Sequence, residues 1–410
     1  MTTSIYSVDE ARRRARRLLP KVVFDFIEGG ADDELTTKAN RRAFDRILFR
    51  PLTGVDVGEP DLRTTVLGTE LSLPVLLAPC GGLSMFHPDG QAGAARAAAT
   101  AHTIAVVGTL SGSLLEKGMS EGGGAPHWFQ LYKLGGRAGA ERLVDRAAKA
   151  GYRTLVVSVD TPVVGHKERD IRNGGVRPGG TPAIDRVDLA SMIRFAPKVA
   201  AHPRWVYRFA RAGFPLGQPN VDMLQSGGSP LSLEKATEAW MSSPATWADF
   251  EWIRRRWSGH VVAKGILTGD DAARAVAAGA DAVIISNHGG RQLDAAPATI
   301  DALEEVVEAV GSTTEVLLDS GVRRGSDVVR ALALGARAVL IGRPYLYGLA
   351  VGGERGVRIV LDILRDELTR TLQLLGRQSV AELDHTSVLA LGSPQSTVLT
   401  MHRDHSDQRR

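Results

Sequence analysis

The sequence predicts an α/β protein centred on a (β/α)8 TIM barrel, with helices at its N-terminus and a long insertion after the fourth strand. Three observations lead there. Short apolar, β-branched runs alternate with Ala-rich amphipathic stretches, and eight such runs can be counted. Each run ends in glycine or polar residues, at the strand end where α/β folds place chemistry. Neither G-x-G-x-x-G nor G-x-x-x-x-G-K-[ST] occurs, so the dinucleotide and P-loop readings lose their main support. A doubly wound open sheet remains the competing topology.

Residues 1–65 form an N-terminal helical segment. Ser7-Val8-Asp9-Glu10 is a capping-box pattern opening a basic helix. Leu19-Pro20 breaks it, and Pro20 suits the first turn of a second helix that Gly29-Gly30 ends. A third helix is expected from Asp32 to Asp45, then a Pro/Gly-containing connector. The strands are expected at Pro74–Ala78, Ile104–Val107, Trp128–Tyr132, Thr154–Val159, His260–Lys264, Ala282–Ser286, Glu315–Asp319 and Arg337–Ile341. Between them lie helical stretches such as Gln91–His102, Gly139–Ala150, Asp270–Ala278, Ile300–Val310 and Ser326–Leu334.

Residues 165–244 interrupt this beat. A structureless loop of that length is unusual in a compact domain, so a helix is expected from about Asp185 to Ala212 and a loop from Gly213 to Ser229. The helical part carries Arg194, Lys198, Arg204, Arg208 and Arg211, interleaved with Phe195, Trp205, Tyr207 and Phe209. It reads either as an amphipathic helix packed on the barrel or as a segment for peripheral contact with a membrane surface or partner, spanning 185–215. A long last helix is expected from Arg355 to Gly376. Residues 1–391 read as a single domain and 392–410 as a disordered tail.

Composition excludes several classes. The net charge is +4 and no stretch approaches the roughly 20 apolar residues of a membrane span. Nucleic-acid binding is not expected. Cys80 is the only cysteine, which excludes an internal disulfide or cysteine metal cage and fits a reducing cytoplasm. No metal site and no signal peptide are read.

The strand ends carry the chemistry. The sixth leads into Ser286-Asn287-His288-Gly289-Gly290-Arg291-Gln292-Leu293-Asp294. There a base and an anion holder stand three residues apart. The first ends in Pro79-Cys80-Gly81, the third in Gln130-Leu131-Tyr132, the fourth in Ser158-Val159-Asp160 and the fifth in Lys264-Gly265. The seventh ends in Asp319-Ser320-Gly321-Val322-Arg323 and the eighth in Gly342-Arg343. Barrel phosphate sites commonly lie at these last two loops, and glycine amides with two guanidiniums suit a phosphate dianion. A phosphorylated ligand on one side, a His/Arg pair on the other and a lysine between them are the arrangement expected for an FMN enzyme and a small-molecule substrate.

The 286–294 stretch resembles the active-site signature of the FMN-dependent α-hydroxy-acid dehydrogenases and oxidases, the lactate dehydrogenase and glycolate oxidase type. Leu19-Pro20-Lys21, Gly29-Gly30-Ala31, Trp128-Phe129-Gln130-Leu131-Tyr132, Lys264-Gly265 and Gly342-Arg343 fit as well, so the resemblance covers about residues 5 to 390. It implies oxidation of an L-α-hydroxy-carbonyl substrate. His288 would remove the hydroxyl proton, Asp160 would support it, and Arg291 and Tyr132 would hold the substrate. Lys264 would stabilise the reduced ring. Pro79, Cys80, Gly81, Gly108, Gln130, Ser158 and Ser286 would line the flavin and its ribityl chain, with Asp319. Gly321, Arg323, Gly342 and Arg343 would take the phosphate. A homo-oligomer, tetramer or octamer, is implied too.

Three departures stand out. Phe26 replaces a tyrosine whose hydroxyl contacts the substrate carboxylate in the family. Lys167, in Gly165-His166-Lys167, replaces an arginine, and Gly108 a serine. One hydroxyl is lost and one bidentate donor becomes a point charge. The expectation is a bulkier, cyclic or neutral substrate. The insertion is similar to actinobacterial branches, one acting on L-pantoyl lactone and one in mycofactocin maturation. The second lacks the Arg-Gln that follows His288-Gly-Gly here, so a hydroxy-lactone or hydroxy acid is favoured, with L-lactate as the alternative. The electron acceptor is left open among oxygen, a quinone and a carrier protein.

Overall fold

A computed structural model gives the structure of the chain and describes residues 5–173, 199–213, 218–222 and 244–390. Among these residues, eight parallel strands form one sheet that rolls into a barrel. They are β1 (Val75–Leu77), β2 (Val106–Gly108), β3 (Trp128–Leu131), β4 (Thr154–Ser158), β5 (His260–Ile266), β6 (Ala282–Ile285), β7 (Glu315–Leu318) and β8 (Ala338–Ile341). The hydrogen-bonded order runs β1-β8-β7-β6-β5-β4-β3-β2, and an isolated parallel bridge between Leu77 and Ala105 closes the ring. The open-sheet alternative therefore fails.

Strand residues are buried on both faces, which is why they read as continuous apolar runs rather than alternating ones. Leu76, Val106, Trp128, Val156, Val262, Ile284, Leu317 and Leu340 form one cluster, the barrel interior. Their neighbours Leu77, Val107, Phe129, Leu155, Val261, Val283, Leu318 and Val339 belong to the layer packed under the helices.

The N-terminal helices are α1 (Val8–Leu18), α2 (Lys21–Glu28) and α3 (Leu35–Asp45). The Ser7 hydroxyl accepts from the Glu10 amide at 3.1 Å, while the Glu10 carboxylate accepts from the Tyr6 amide rather than from Ser7. α3 begins three residues later than expected. Asp32 and Glu34 take positive φ, and the carboxylate of Asp294 caps the helix by accepting from the amides of Leu35 and Thr36 at 3.1 and 2.8 Å. The helix expected from Ile300 begins at Leu303.

Of the insertion, helix Pro203–Arg211 is described. Trp205 and Phe209 are buried with rings stacked 4.2 Å apart, and the Trp205 indole donates to the Met85 carbonyl at 3.1 Å. This helix packs on the barrel by its aromatic side. Arg204, Tyr207 and Arg211 face outward. Arg194 and Lys198, most of the loop expected from Gly213 to Ser229, and residues 391–410 lie outside the described residues.

The last helix spans Arg343–Leu375, with non-helical backbone at Gly352 and Gly353. The second half matches the expected helix from Arg355. The first half escapes a periodicity reading because Pro344 and a glycine pair punctuate it, although proline is well placed in a first turn. Asp89 caps the second half by accepting from the Glu354 amide at 3.1 Å. Arg208 from the insertion helix donates to the Ala350 and Val351 carbonyls, at 3.3 and 3.4 Å, where the first half ends.

Candidate active site

At the carboxyl end of β6 the chain passes from buried Ile285 to Ser286, whose hydroxyl accepts from Lys264 Nζ at 2.7 Å and from the His288 amide at 3.1 Å. One oxygen thus fixes β5 against the turn that presents His288. That turn puts His288 at φ +57, a conformation that costs a non-glycine residue about 1 kcal/mol or more and recurs at functional sites. Asn287 and Asn40 exchange two hydrogen bonds, at 2.9 and 2.8 Å, tying the turn to α3.

His288 Nδ1 lies 3.1 Å from Asp160 Oδ2, and Nε2 lies 3.3 Å from the Tyr132 hydroxyl. Burial raises the Asp160 carboxyl, but His288 and Lys264 outweigh it and hold the group below its ordinary value. The carboxylate fits because residue 265 is glycine. At φ +109, a Cβ there would stand 2.5 Å from the Asp160 Cβ. Burial and the Asp160 charge push the Tyr132 phenol up, so it stays protonated.

Arg291 donates through Nη1 to the carbonyls of Phe26 and Gly29, both at 2.8 Å, and its guanidinium carbon sits 5.0 Å from the Phe26 ring centroid. The carbonyls ending α2 lack helical partners, so the arginine satisfies them and is aimed by them. Gly165 packs against this backbone, since a Cβ would lie 2.2 Å from the Arg291 carbonyl oxygen. Lys167 follows, with Nζ donating to the Gly165 carbonyl at 3.2 Å. Burial and the Arg291 charge push its ammonium down to about 8, opposed by Asp170. Neither Arg291 nor Lys167 makes a carboxylate ion pair within 4 Å among the described residues. Sequence reasoning missed Asp170, a buried carboxyl raised by its burial although Arg291 and Lys167 pull it down.

On the opposite side, Lys264 is buried and ion-paired with Asp319 Oδ2 at 2.8 Å. Burial lowers its ammonium, but Asp319 and Asp160 more than restore it. Gln130 donates to the Ser158 hydroxyl at 3.0 Å, and both are buried. Bare backbone surrounds them. A Cβ on Gly108 would meet the Cys80 carbonyl at 3.3 Å, one on Gly81 the Leu110 carbonyl at 3.5 Å, and one on Gly342 only the Cys80 sulfur at 3.5 Å. Pro79 joins these loops to β1. Burial raises the Cys80 thiol, as befits a small hydrophobe.

The end of β7 needs glycine at 321, where φ is +88 and a Cβ would stand 2.2 Å from the Asn40 carbonyl oxygen. Arg323 is partly buried, and its guanidinium donates to the Val322 carbonyl at 2.8 Å. Burial drives it down to about 10, with Arg343 and Arg41 adding to the push. Arg343 differs from the expectation. Its guanidinium is taken up by the carbonyls of Ile27, Gly29 and Gly289 at 2.9, 2.9 and 2.8 Å, because the ends of α2 and of the β6 turn need donors. It retains a backbone amide at a helix start. The partly buried Arg323 guanidinium and glycine backbone beside a buried lysine fit a flavin with a terminal phosphate.

This geometry suits a flavin-dependent enzyme on a TIM barrel. The chain belongs to the FMN-dependent dehydrogenase family, whose pattern it matches over residues 15–390. It is 40% identical over 387 residues to a peroxisomal (S)-2-hydroxy-acid oxidase of Oryza sativa subsp. japonica, covering 94% of this chain and 96% of that protein. It is 42% identical over 386 residues to an L-lactate oxidase of Nostoc sp., covering 93% and 97%. Among solved structures, a monotopic membrane protein, (S)-mandelate dehydrogenase, aligns at a TM-score of 0.85 with 38% identity, covering 95% of this chain and all of that one. FMN is the family's cofactor.

Proposed function

We propose that this chain oxidises a bulky (S)-2-hydroxy acid, aromatic in the first instance, to the 2-oxo acid. The observation that carries the reading is the cation pair Arg291 and Lys167, half-buried beside His288 with no carboxylate bonded to either among the described residues. Such a pair calls for an anionic substrate group. Phe26 and Phe86, with ring centroids 6.2 Å apart, give the neighbourhood an apolar wall. Similarity to a mandelate dehydrogenase supports the aromatic choice.

Bound FMN supplies the two-electron acceptor. His288 Nε2 takes the substrate hydroxyl proton. Asp160 on Nδ1 fixes the tautomer and stabilises the imidazolium that results. Arg291 and Lys167 hold the carboxylate, and Tyr132 bonds the reacting oxygen. Lys264, kept charged by Asp319, would supply the positive charge that stabilises the reduced ring. Gln130, Ser158, Ser286 and Asp319 meet the ring and ribityl chain beside Pro79, Cys80, Gly81 and Gly108. Arg323 and the amides of Gly321, Gly342 and Arg343 meet the phosphate.

Phe26 favours a second reading, a hydroxy-lactone such as L-pantoyl lactone, because no hydroxyl stands there to receive a carboxylate. Anaerobic bleaching of the bound flavin by (S)-mandelate, L-lactate, glycolate and L-pantoyl lactone decides between the two. Mandelate is expected to bleach fastest. Faster bleaching by the lactone overturns the carboxylate reading, and a protein that takes up no FMN overturns the whole. The same reading includes one catalytic domain over 1–391, a homo-oligomer, and peripheral contact with a membrane surface through 185–215, where Arg204, Tyr207 and Arg211 face outward. That last point is supported by the similarity to a monotopic membrane protein. No helix among the described residues is long and apolar enough to cross a membrane.

A further inference from the structure

We infer that Glu28 is a standing counter-charge to the guanidiniums of Arg323 and Arg343 around the phosphate loops and sets how tightly the phosphate end of FMN is held. This rests on the reading that the phosphate lies at Arg323 and the start of the helix Arg343–Leu375. Glu28 is the last residue of α2. Its Oε2 accepts from the Tyr347 hydroxyl at 2.7 Å, and its Oε1 accepts from Arg12 Nε at 2.8 Å, with Arg12 Nη2 also at 2.8 Å. Arg343 grips the backbone on both sides of it, at the Ile27 and Gly29 carbonyls. Tyr347 is buried one turn beyond Arg343 on the same helix. The other carboxylates near the phosphate loops are engaged elsewhere. Asp327 takes Arg41 and the amides of Arg323 and Arg324, and Asp319 takes Lys264.

Glu28, although bonded to Arg12 and Tyr347, is thus the carboxylate whose charge also acts on Arg323 and Arg343. Burial raises its carboxyl, but Arg12, Tyr347 and Arg343 together hold it below its ordinary value, so it is ionised. An arriving phosphate dianion meets the Arg323 guanidinium and the positive charge of Arg343 close by, and also this negative charge behind them. Arg12, partly exposed on α1, screens that charge from the far side. Removing the Glu28 charge should strengthen the grip on phosphate, and removing the Arg12 charge should weaken it. A merely structural cluster would give losses in both cases, for any flavin.

The test titrates apoprotein with FMN and with riboflavin, which lacks the phosphate, following flavin fluorescence. Glu28→Gln is expected to lower the Kd for FMN roughly tenfold, and Arg12→Gln to raise it by about the same factor. The Kd for riboflavin should stay within about twofold in both variants. Arg12→Gln, at a half-exposed position, keeps the test open if Glu28→Gln does not fold. Parallel shifts for FMN and riboflavin, weaker FMN binding by Glu28→Gln, or no shift in either variant overturns the inference. Equal affinity of the unaltered protein for the two flavins would instead remove the phosphate site on which it rests.

Discussion

Lys167 gives the sharpest prediction. Burial and Arg291 bring its ammonium from an ordinary 10.5 to about 8. At pH 7 about nine in ten of these side chains are charged, and at pH 9 about one in ten. If only the charged form holds the substrate carboxylate, kcat/KM should fall about tenfold from pH 7 to pH 9 while kcat at saturation changes little. In Lys167→Arg the falling limb should vanish over that range, because a guanidinium stays charged. In Lys167→Met, KM should rise about 10- to 100-fold at pH 7 with the limb also gone. The assay is stopped-flow flavin reduction against substrate concentration at each pH. Loss of fold does not mimic the effect. The folded state binds fewer protons at Lys167 than the unfolded state between pH 8 and 10.5, so this group's contribution to stability rises with pH across that window. A flat kcat/KM from pH 7 to 9, or an identical limb in Lys167→Arg, refutes the reasoning.

Three further outcomes follow from the geometry. His288→Asn should keep bound flavin, visible in its absorbance, while the rate of flavin reduction falls about 10²- to 10⁴-fold. Gly321→Ala must place a Cβ 2.2 Å from the Asn40 carbonyl oxygen at φ +88, so apoprotein stability by denaturant titration should drop by roughly 2 kcal/mol or more, with weaker FMN uptake. Asp294→Ala removes the cap of α3 and should cost about 1 kcal/mol in the same titration, leaving FMN affinity nearly unchanged.

The barrel was legible because strands buried on both faces leave unbroken apolar runs, and each run in the sequence meets a strand within a residue or two. His288, Arg291, Lys264 and Asp160 were legible because a strand end and a glycine pair mark where the backbone turns. What escaped depends on contacts between distant segments. Asp294 caps a helix some 258 residues away, a link no local pattern carries. Arg343 looked like a phosphate ligand from its place after a strand, yet the unsatisfied carbonyls of α2 claim its guanidinium. Asp170 and Glu28 carry no local signal in the sequence. The burial of Asp170 near Lys167 and the bond of Glu28 to Tyr347 appear only in the folded chain.

The closure of the ring has a consequence for motion. Seven junctions between neighbouring strands are ladders, whereas β1 and β2 meet through the single bridge at Leu77 and Ala105 and the bond from the Leu77 amide to the Ile104 carbonyl at 2.9 Å. The barrel is in effect a sheet wrapped round and latched at one edge. Local opening begins where the fewest backbone bonds must break. The latch lies just below Pro79–Gly81 and Gly108, two of the walls proposed for the flavin. Amide exchange in the apoprotein should thus be fastest, among barrel strands, at 75–77 and 106–108. The step that admits the cofactor and the step that first loosens the barrel would then be one motion.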